Sequence, residues 1–258
     1  MSHRARKRFG QHFLTSGATI ADIVAAIAPQ DGQTIVEIGP GQAAITAPLA
    51  AAGATLHAIE FDRDLVAKLE RQFHDRENVT IHEADALQFD FSSLGDRLRV
   101  VGNLPYNIST PLLFHLLAFR KNLQDMHFML QKEVVDRMSA TPGNKTYGRL
   151  TVMLGCRLEV VPLFDVAPDA FTPPPRVMSS VVRMRPLPEN HFDIWDEARL
   201  EQVVRQAFSR RRKTLRNALE GHADEAALEA AGIEPGKRPE QIPVIEWIRL
   251  ANELSGNK

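Results

Sequence analysis

Residues 34–41 read Thr34-Ile35-Val36-Glu37-Ile38-Gly39-Pro40-Gly41, and this stretch decides the fold. Thr34–Ile38 is a short apolar run, which predicts a buried strand. It stops at a Gly-Pro-Gly turn, where glycine permits a positive φ and lets a ligand approach the backbone closely. Residues 43–52 are helix-prone, and a helix starting beside such a turn offers its unpaired N–H groups to that ligand.

Upstream, Ile20, Ile23, Val24 and Ile27 recur at helical spacing, with Thr15 and Ser16 as candidate caps and Pro29 and Gly32 as terminators. Downstream, apolar runs at 56–59, 79–82, 98–101 and 127–130 alternate with helical patterns at 63–73 and 111–119. That alternation predicts an α/β fold with a parallel, doubly wound, Rossmann-like sheet. Residues 158–164 and 177–184 are β-rich and lie closer together, which predicts an antiparallel pair at the sheet edge. Between them, Phe171-Thr172-Pro173-Pro174-Pro175 can form neither helix nor central strand. Pro186 and Pro188 mark a linker, and after it the patterns at 200–208, 213–219, 225–231 and 242–254 are all helical. One boundary is therefore expected near 187, dividing an α/β domain of residues 1–187 from a small all-helical domain of 188–258.

Composition excludes several classes. The chain has 258 residues, 44% of them hydrophobic, enough for a substantial core. Its one cysteine, Cys156, can form no disulfide within the chain and no thiolate cluster, and the nine histidines make no metal-binding pair, so no metal is expected. No run approaches the roughly 20 apolar residues of a membrane helix, and a reducing cytoplasmic home is expected. Net charge is −1, but it is unevenly spread. Arg4, Arg6, Lys7 and Arg8 open the chain without an acid, and Arg205, Arg210, Arg211, Arg212, Lys213 and Arg216 form a second acid-free stretch. Basic patches on a neutral protein point to a polyanion-binding face, although an isolated charge run is usually a solvated surface.

Three strand ends carry candidate ligands. The Gly39–Gly41 turn closes the first, Glu60 the second and Asp85 the third. An acid about 20 residues beyond a glycine turn is placed to take ribose hydroxyls, and in a parallel sheet all three ends share one crevice. A nicotinamide-dependent oxidoreductase would have the same turn and acid. The fourth strand end reads Asn103-Leu104-Pro105-Tyr106. An adenine amine is a poor nucleophile because its lone pair is delocalised. Neutral acceptors holding both N–H bonds would turn that lone pair out of plane. The Asn103 oxygen is one acceptor, and the Leu104 carbonyl, held extended before Pro105, is the second. Tyr106 offers an aromatic face for an extruded base. An oxidoreductase has no use for this tetrapeptide.

Taken with Gly10-Gln11-His12-Phe13-Leu14, Phe171 to Val177 and Phe208 to Asn217, these motifs stand in the order of one family. Over nearly its whole length the chain resembles the bacterial small-subunit (16S) rRNA adenine N6-dimethyltransferases, the KsgA family. The resemblance implies a class I methyltransferase domain at 1–187 and an RNA- and ribosome-binding helical domain at 188–258. It implies S-adenosylmethionine as cofactor and 16S rRNA within the immature small ribosomal subunit as partner. Two adjacent adenines in the 3′-terminal hairpin loop would be dimethylated late in subunit assembly, with an assembly-checkpoint role, by an enzyme expected to be monomeric.

The resemblance also implies roles. His12 and Leu14 would contact the methionine moiety, and Gly39 and Gly41 would sit against the cofactor. Glu60 would take the ribose and Asp85 the cofactor's adenine amine. Asn103 would hold the target amine near the cofactor, and Phe171 would stack on the target base opposite Tyr106, unless it is a core anchor. Arg205, Arg210, Arg211, Arg212, Lys213 and Arg216 would contact RNA. The chain departs from the family at His12, where Asn is usual, and at Ala43, where a third glycine is usual. Alanine is expected to be harmless at a helix-opening position. The related methyltransferases that act on large-subunit rRNA share the tetrapeptide, but the basic run and the long helical tail favour the small subunit.

Overall fold

The computed structural model describes residues 12–105 and 108–256. Tyr106, the Gly10-Gln11 part of the first motif and the basic residues at 4–8 lie outside the described residues. In chain order the main elements are β1 (Phe13–Leu14), α1 (Gly17–Ile27), β2 (Thr34–Ile38), α2 (Thr46–Ala51), β3 (Thr55–Glu60), α3 (Arg63–Gln72) and β4 (Val79–Glu83). There follow β5 (Leu98–Asn103), α4 (Ser109–Ala118), β6 (Leu123–Gln131), α5 (Lys132–Met138), α6 (Arg149–Gly155), β7 (Leu158–Val166), β8 (Phe171–Thr172) and β9 (Ser179–Pro186). The last helices are α7 (Glu197–Ser209), α8 (Leu215–Ala218), α9 (Glu225–Ala230) and α10 (Val244–Ser255).

The chain forms two compact units, one from the described residues of Met1–Val135 with Val161–Pro186, the other from Asp136–Val160 with Leu187–Lys258. One crossing between the units lies between Pro186 and Leu187. Residues 136–160, read from the sequence with the α/β part, belong instead to the helical unit. The reason is packing: Tyr147, Val152 and Cys156 join the core built by Leu200, Val204, Trp247 and Leu250. The Tyr147 hydroxyl donates to the Ile242 carbonyl at 2.6 Å. Burial pushes the Cys156 thiol up to about 12, so it is an inert core group.

In the first unit a seven-stranded sheet has the order β4-β3-β2-β5-β6-β9-β7. The pairs of β2 with β3 and β5, of β3 with β4 and of β5 with β6 are parallel, and β9 is antiparallel to β6. The strand order reverses between β2 and β5, where a doubly wound sheet opens its ligand crevice. β2 is central, and its last four residues are buried, as expected of a strand covered on both faces. The 34–38 strand and the antiparallel edge emerge as the sequence implies. A second, two-stranded sheet pairs β1 with β8, joining Leu14 to Phe171, and no sequence pattern announced it.

At the opposite end of the strands a buried ion pair fixes α1 to the sheet. Arg99 of β5 grips Asp125 of β6 with two bonds of 2.9 and 3.0 Å. Its remaining donors reach the carbonyls of Ile27 and Ala28 and the Gln33 side chain. Ala28, at φ 48°, ends α1 in the left-handed region and presents those carbonyls. His127 stands behind Asp125, with Nδ1 3.7 Å from its carboxylate. Burial, only partly opposed by Asp125, pushes the imidazole down to about 4. A histidine whose folded value is depressed adds stability that is complete above its unfolded value near 6.5 and lost as pH falls through the window toward 4. Urea denaturation of Asp125→Ala should show a loss of about 3–5 kcal/mol, because Arg99 would be left buried and unpaired. A loss below 1 kcal/mol would show that water compensates the guanidinium. His127→Gln should lose less stability than the parent between pH 7 and pH 4.5.

Candidate functional site

A cavity of about 310 Å³ lies over the carboxyl ends of β2, β3, β4 and β5. The glycine turn after β2 forms its floor. Gly39 and Gly41 have φ of 68° and 58°, which L-residues rarely adopt. Gly39 N–H donates to the Ile59 carbonyl at 2.9 Å, so the turn is tied to β3. A side chain at Gly41 would begin 3.3 Å from the Phe13 ring, which lies against that turn.

Glu60 is the hub of this side. Its carboxylate accepts from the Gly41 N–H at 3.2 Å and from the N–H groups of Phe61 and Asp62, both at 2.9 Å. Burial nevertheless raises its pKa, with those three bonds pulling the other way. Asp85 accepts from Leu87 N–H and from the Gln88 side chain, at 2.9 and 3.0 Å. Both acids line the cavity, as do His12, Leu14, Gly39, Gly41, Asn103, Leu104 and Pro105.

The fourth strand end is held from two directions. Asn103 donates its amide N–H to the His12 carbonyl at 3.1 Å, which commits the nitrogen and leaves the side-chain oxygen as the acceptor. Leu104 N–H donates to the Met129 carbonyl at 3.2 Å, pinning the loop to β6. The segment that carries His12 is strapped in turn. Leu14 pairs with Phe171, and the His12 ring Nδ1 bonds the Pro173 carbonyl at 2.8 Å.

Several expectations change. Phe171, expected to stack on a base, is 3% exposed and packs in the core with Leu14, Ala43 and Met129. The core-anchor alternative fits this placement, because its strand holds the His12–Leu14 segment in position. Ala43 does not open a helix. It has φ of 65°, and α2 begins at Thr46. Glycine suits that conformation, and an alanine there costs about 1–2 kcal/mol of backbone strain. The run from Arg210 to Lys213 is a turn between α7 and α8, not a helix. Folding also brings acids to this acid-free stretch. Arg210 lies 3.9 Å from Glu220, Arg216 pairs with Glu225 at 3.2 Å, and Arg211 bonds the Lys145 carbonyl beside Glu240. Arg205, Arg212 and Lys213 are exposed and have no ion pair with a described residue.

The sequence reading missed three residues. Gly102, just before Asn103, needs its missing side chain, since a Cβ would stand 2.5 Å from the Ile38 carbonyl oxygen. A glycine inside the run Val100-Val101-Gly102-Asn103 signals a close backbone approach and could have revealed it. Phe61 is 61% exposed at the cavity rim, where its ring can cover a flat ligand beside Glu60. Glu37, a carboxylate inside an apolar strand, is 2% exposed and lines the cavity.

A doubly wound sheet with a glycine turn and successive strand-end acids fits a class I methyltransferase fold, and solved structures of such enzymes match it. A dimethyladenosine transferase from Plasmodium falciparum matches with a TM-score of 0.81 at 23% identity, covering 93% of this chain and 96% of that one. The 23S rRNA methyltransferase ErmE matches with a TM-score of 0.74 at 25% identity, covering 95% of this chain and 100% of that one. A family model described as ribosomal RNA adenine dimethylase matches residues 2–255, and the chain belongs to that family. Among curated relatives, the ribosomal RNA small subunit methyltransferase A of Aromatoleum aromaticum is 55% identical over 98% of this chain and 95% of its own length. The protein of that name from Pseudomonas aeruginosa is 51% identical over 99% and 98%.

Among the described residues no helix is long and apolar enough to cross a membrane, and no group of three or more His, Cys, Asp or Glu is placed to hold a metal ion. Gly102→Ala should cost about 1–3 kcal/mol in denaturant unfolding, because a methyl is driven into backbone. Gly17→Ala, where a methyl meets nothing within 4 Å, should stay within about 0.5 kcal/mol of the parent. Equal stability of Gly102→Ala and the parent would show that β2 and β5 can separate there freely.

Proposed function

We propose that this chain uses S-adenosylmethionine to dimethylate the N6 amines of two adjacent adenines in the 3′-terminal hairpin loop of 16S rRNA, within the immature small subunit. The observation that carries the reading is the Asn103–Leu104–Pro105 strand end, standing on the same cavity as Glu60, Asp85 and the glycine turn. The donor set suits S-adenosylmethionine: two strand-end acids, backbone at a glycine turn and an exposed aromatic rim. When bound, the cofactor supplies an electrophilic methyl group.

The protein's part is positioning and fixed dipoles. Glu60 would take the ribose hydroxyls on the lone pairs left by its three backbone bonds, and Asp85 the adenine amine of the cofactor. His12 and Leu14 would bound the methionine end. Asn103, its nitrogen tied to His12, turns its oxygen to one N–H of the target amine, and the Leu104 carbonyl takes the other. Both acceptors are neutral, so they direct the lone pair without deprotonating the amine. Its surplus proton leaves to water after transfer.

Unit by unit, the α/β part is the catalytic domain and the helical part the ribosome-binding one. Arg205, Arg212 and Lys213 are the phosphate contacts we favour, since Arg210, Arg211 and Arg216 are already engaged with carbonyls or carboxylates. A cytoplasmic monomer that also acts as an assembly checkpoint is consistent with this reading.

Tritium transfer from labelled cofactor tests the activity. Small subunits lacking the modification should be labelled and large subunits should not; the reverse would move the enzyme to the related large-subunit class. Asn103→Ala, assayed in single turnover at saturating cofactor, should lose about 10²–10³ in rate while RNA binding persists. A rate close to the parent's would remove Asn103 from the mechanism. Replacing Arg205, Arg212 and Lys213 together by glutamine should flatten the log–log salt dependence of subunit binding by roughly 0.7–0.9 for each phosphate no longer neutralised. Arg211→Gln alone should instead lower stability and leave the slope intact. Identical slopes for the triple variant and the parent would make the turn a solvated surface.

A further inference from the structure

Asp85 stands on a short loop that is held at both ends. The near end is fixed by the sheet, where Ala84 N–H donates to the Glu60 carbonyl at 3.0 Å. The loop then turns, with Gln88 N–H donating to the Asp85 carbonyl at 3.0 Å. Ala84, Asp85, Ala86 and Leu87 line the cavity, and the loop closes at Phe89, outside that lining.

Phe89 is gripped by both its backbone and its ring. Its carbonyl accepts from His115 Nε2 of α4 at 2.9 Å, so that nitrogen carries a proton. Its ring meets the His82 ring of β4 edge-on, with centroids 5.4 Å apart, and meets Phe91 edge-on at 5.3 Å. These supports are held in turn. His82 Nε2 and His57 Nδ1 of β3 share a hydrogen bond of 3.0 Å. Phe91 is fully buried and packs edge-on against Phe119, whose ring also meets His115 at 5.1 Å. Histidine and phenylalanine rings thus form one continuous stack from β3 to α4. His57, His82, Phe89 and His115 are each only partly buried, so burial of apolar surface is a weak reason for the stack. Its directed contacts converge on the residue that ends the Asp85 loop.

We propose that this stack is the positioning device for recognition of the cofactor's base: by fixing Phe89 it holds the Asp85 carboxylate where an exocyclic amine can donate to it and a purine bearing a carbonyl there is rejected. The inference rests on the methyltransferase reading above and on Asp85 as the acid that faces the base. A carboxylate offers only acceptors, so an amine binds it and a carbonyl oxygen is repelled. Both effects need the carboxylate in place to within about half an ångström. A loosened loop weakens the amine's bond and relieves the carbonyl's repulsion, so the ratio of the two affinities reports the position. His82, Phe89 and His115 are positioning residues that act through Asp85.

S-adenosylhomocysteine and S-inosylhomocysteine differ in that amine and carbonyl, and calorimetry on the full chain reads the ratio of their affinities. The parent should favour the amine by about 10–100-fold. His115→Leu and Phe89→Leu should each cut this ratio by about fivefold or more, chiefly by weakening S-adenosylhomocysteine. His115→Gln, which keeps a donor near the position of Nε2, should restore most of it. In an Asp85→Ala background His115→Leu should change the ratio no further. An unchanged ratio in both leucine variants, or an equal loss of affinity for the two ligands, would overturn the proposal and leave the stack a structural element. Phe89→Leu keeps the test if His115→Leu does not fold. A parent that binds the two ligands equally would overturn the proposal alone. Failure of S-adenosylhomocysteine and S-adenosylmethionine to bind the parent would overturn it together with the methyltransferase reading.

Discussion

The site depends on one carboxylate and the backbone it gathers. Glu60 accepts three main-chain N–H bonds, one from the turn after β2 and two from the loop after β3. Two strand ends are thereby fixed to each other before any ligand arrives. A carboxylate holding several N–H donors is rigid, and rigidity here sets the spacing between the glycine turn and the acid. On the other side Gly102 lets β5 come against the Ile38 carbonyl, and Asn103 follows directly. The acceptor proposed for catalysis is therefore placed by backbone contacts, not by its own freedom to rotate.

A second level of support comes from far along the chain. Phe171 and Thr172 pair with Leu14 and Phe13, and Pro173 receives the His12 ring. The proline-rich stretch thus secures the segment whose carbonyl orients Asn103. This arrangement gives the rigid, non-helical stretch between β7 and β9 a structural task. At the far end of the strands the Arg99–Asp125 pair performs a similar task for α1, which begins just after the strapped segment.

Much of this was legible in the sequence because it obeys local rules. The alternation of apolar runs and helical patterns specified the parallel sheet, and the glycine turn and strand-end acids lie where a doubly wound fold needs them. The features that escaped are non-local. No pattern at Phe13 announces a two-residue strand pairing with Thr172. The acids Glu220, Glu225 and Glu240 meet the basic stretch only after folding, so half of its charge is answered. Ala43 looked like a helix residue because alanine is one, yet its φ of 65° belongs to the turn. Residues 136–160 carry ordinary helical and β signals, and only their buried faces assign them to the second unit.

The central claim is that this cavity serves methylation of adjacent adenines in small-subunit rRNA. Mass spectrometry of the 3′-terminal hairpin of 16S rRNA, from cells lacking this protein and from the same cells complemented with it, tests that claim most directly. The account predicts two adjacent unmethylated adenines in the first case and N6-dimethylated ones in the second. Dimethylated adenines at both positions in cells lacking the protein would contradict it.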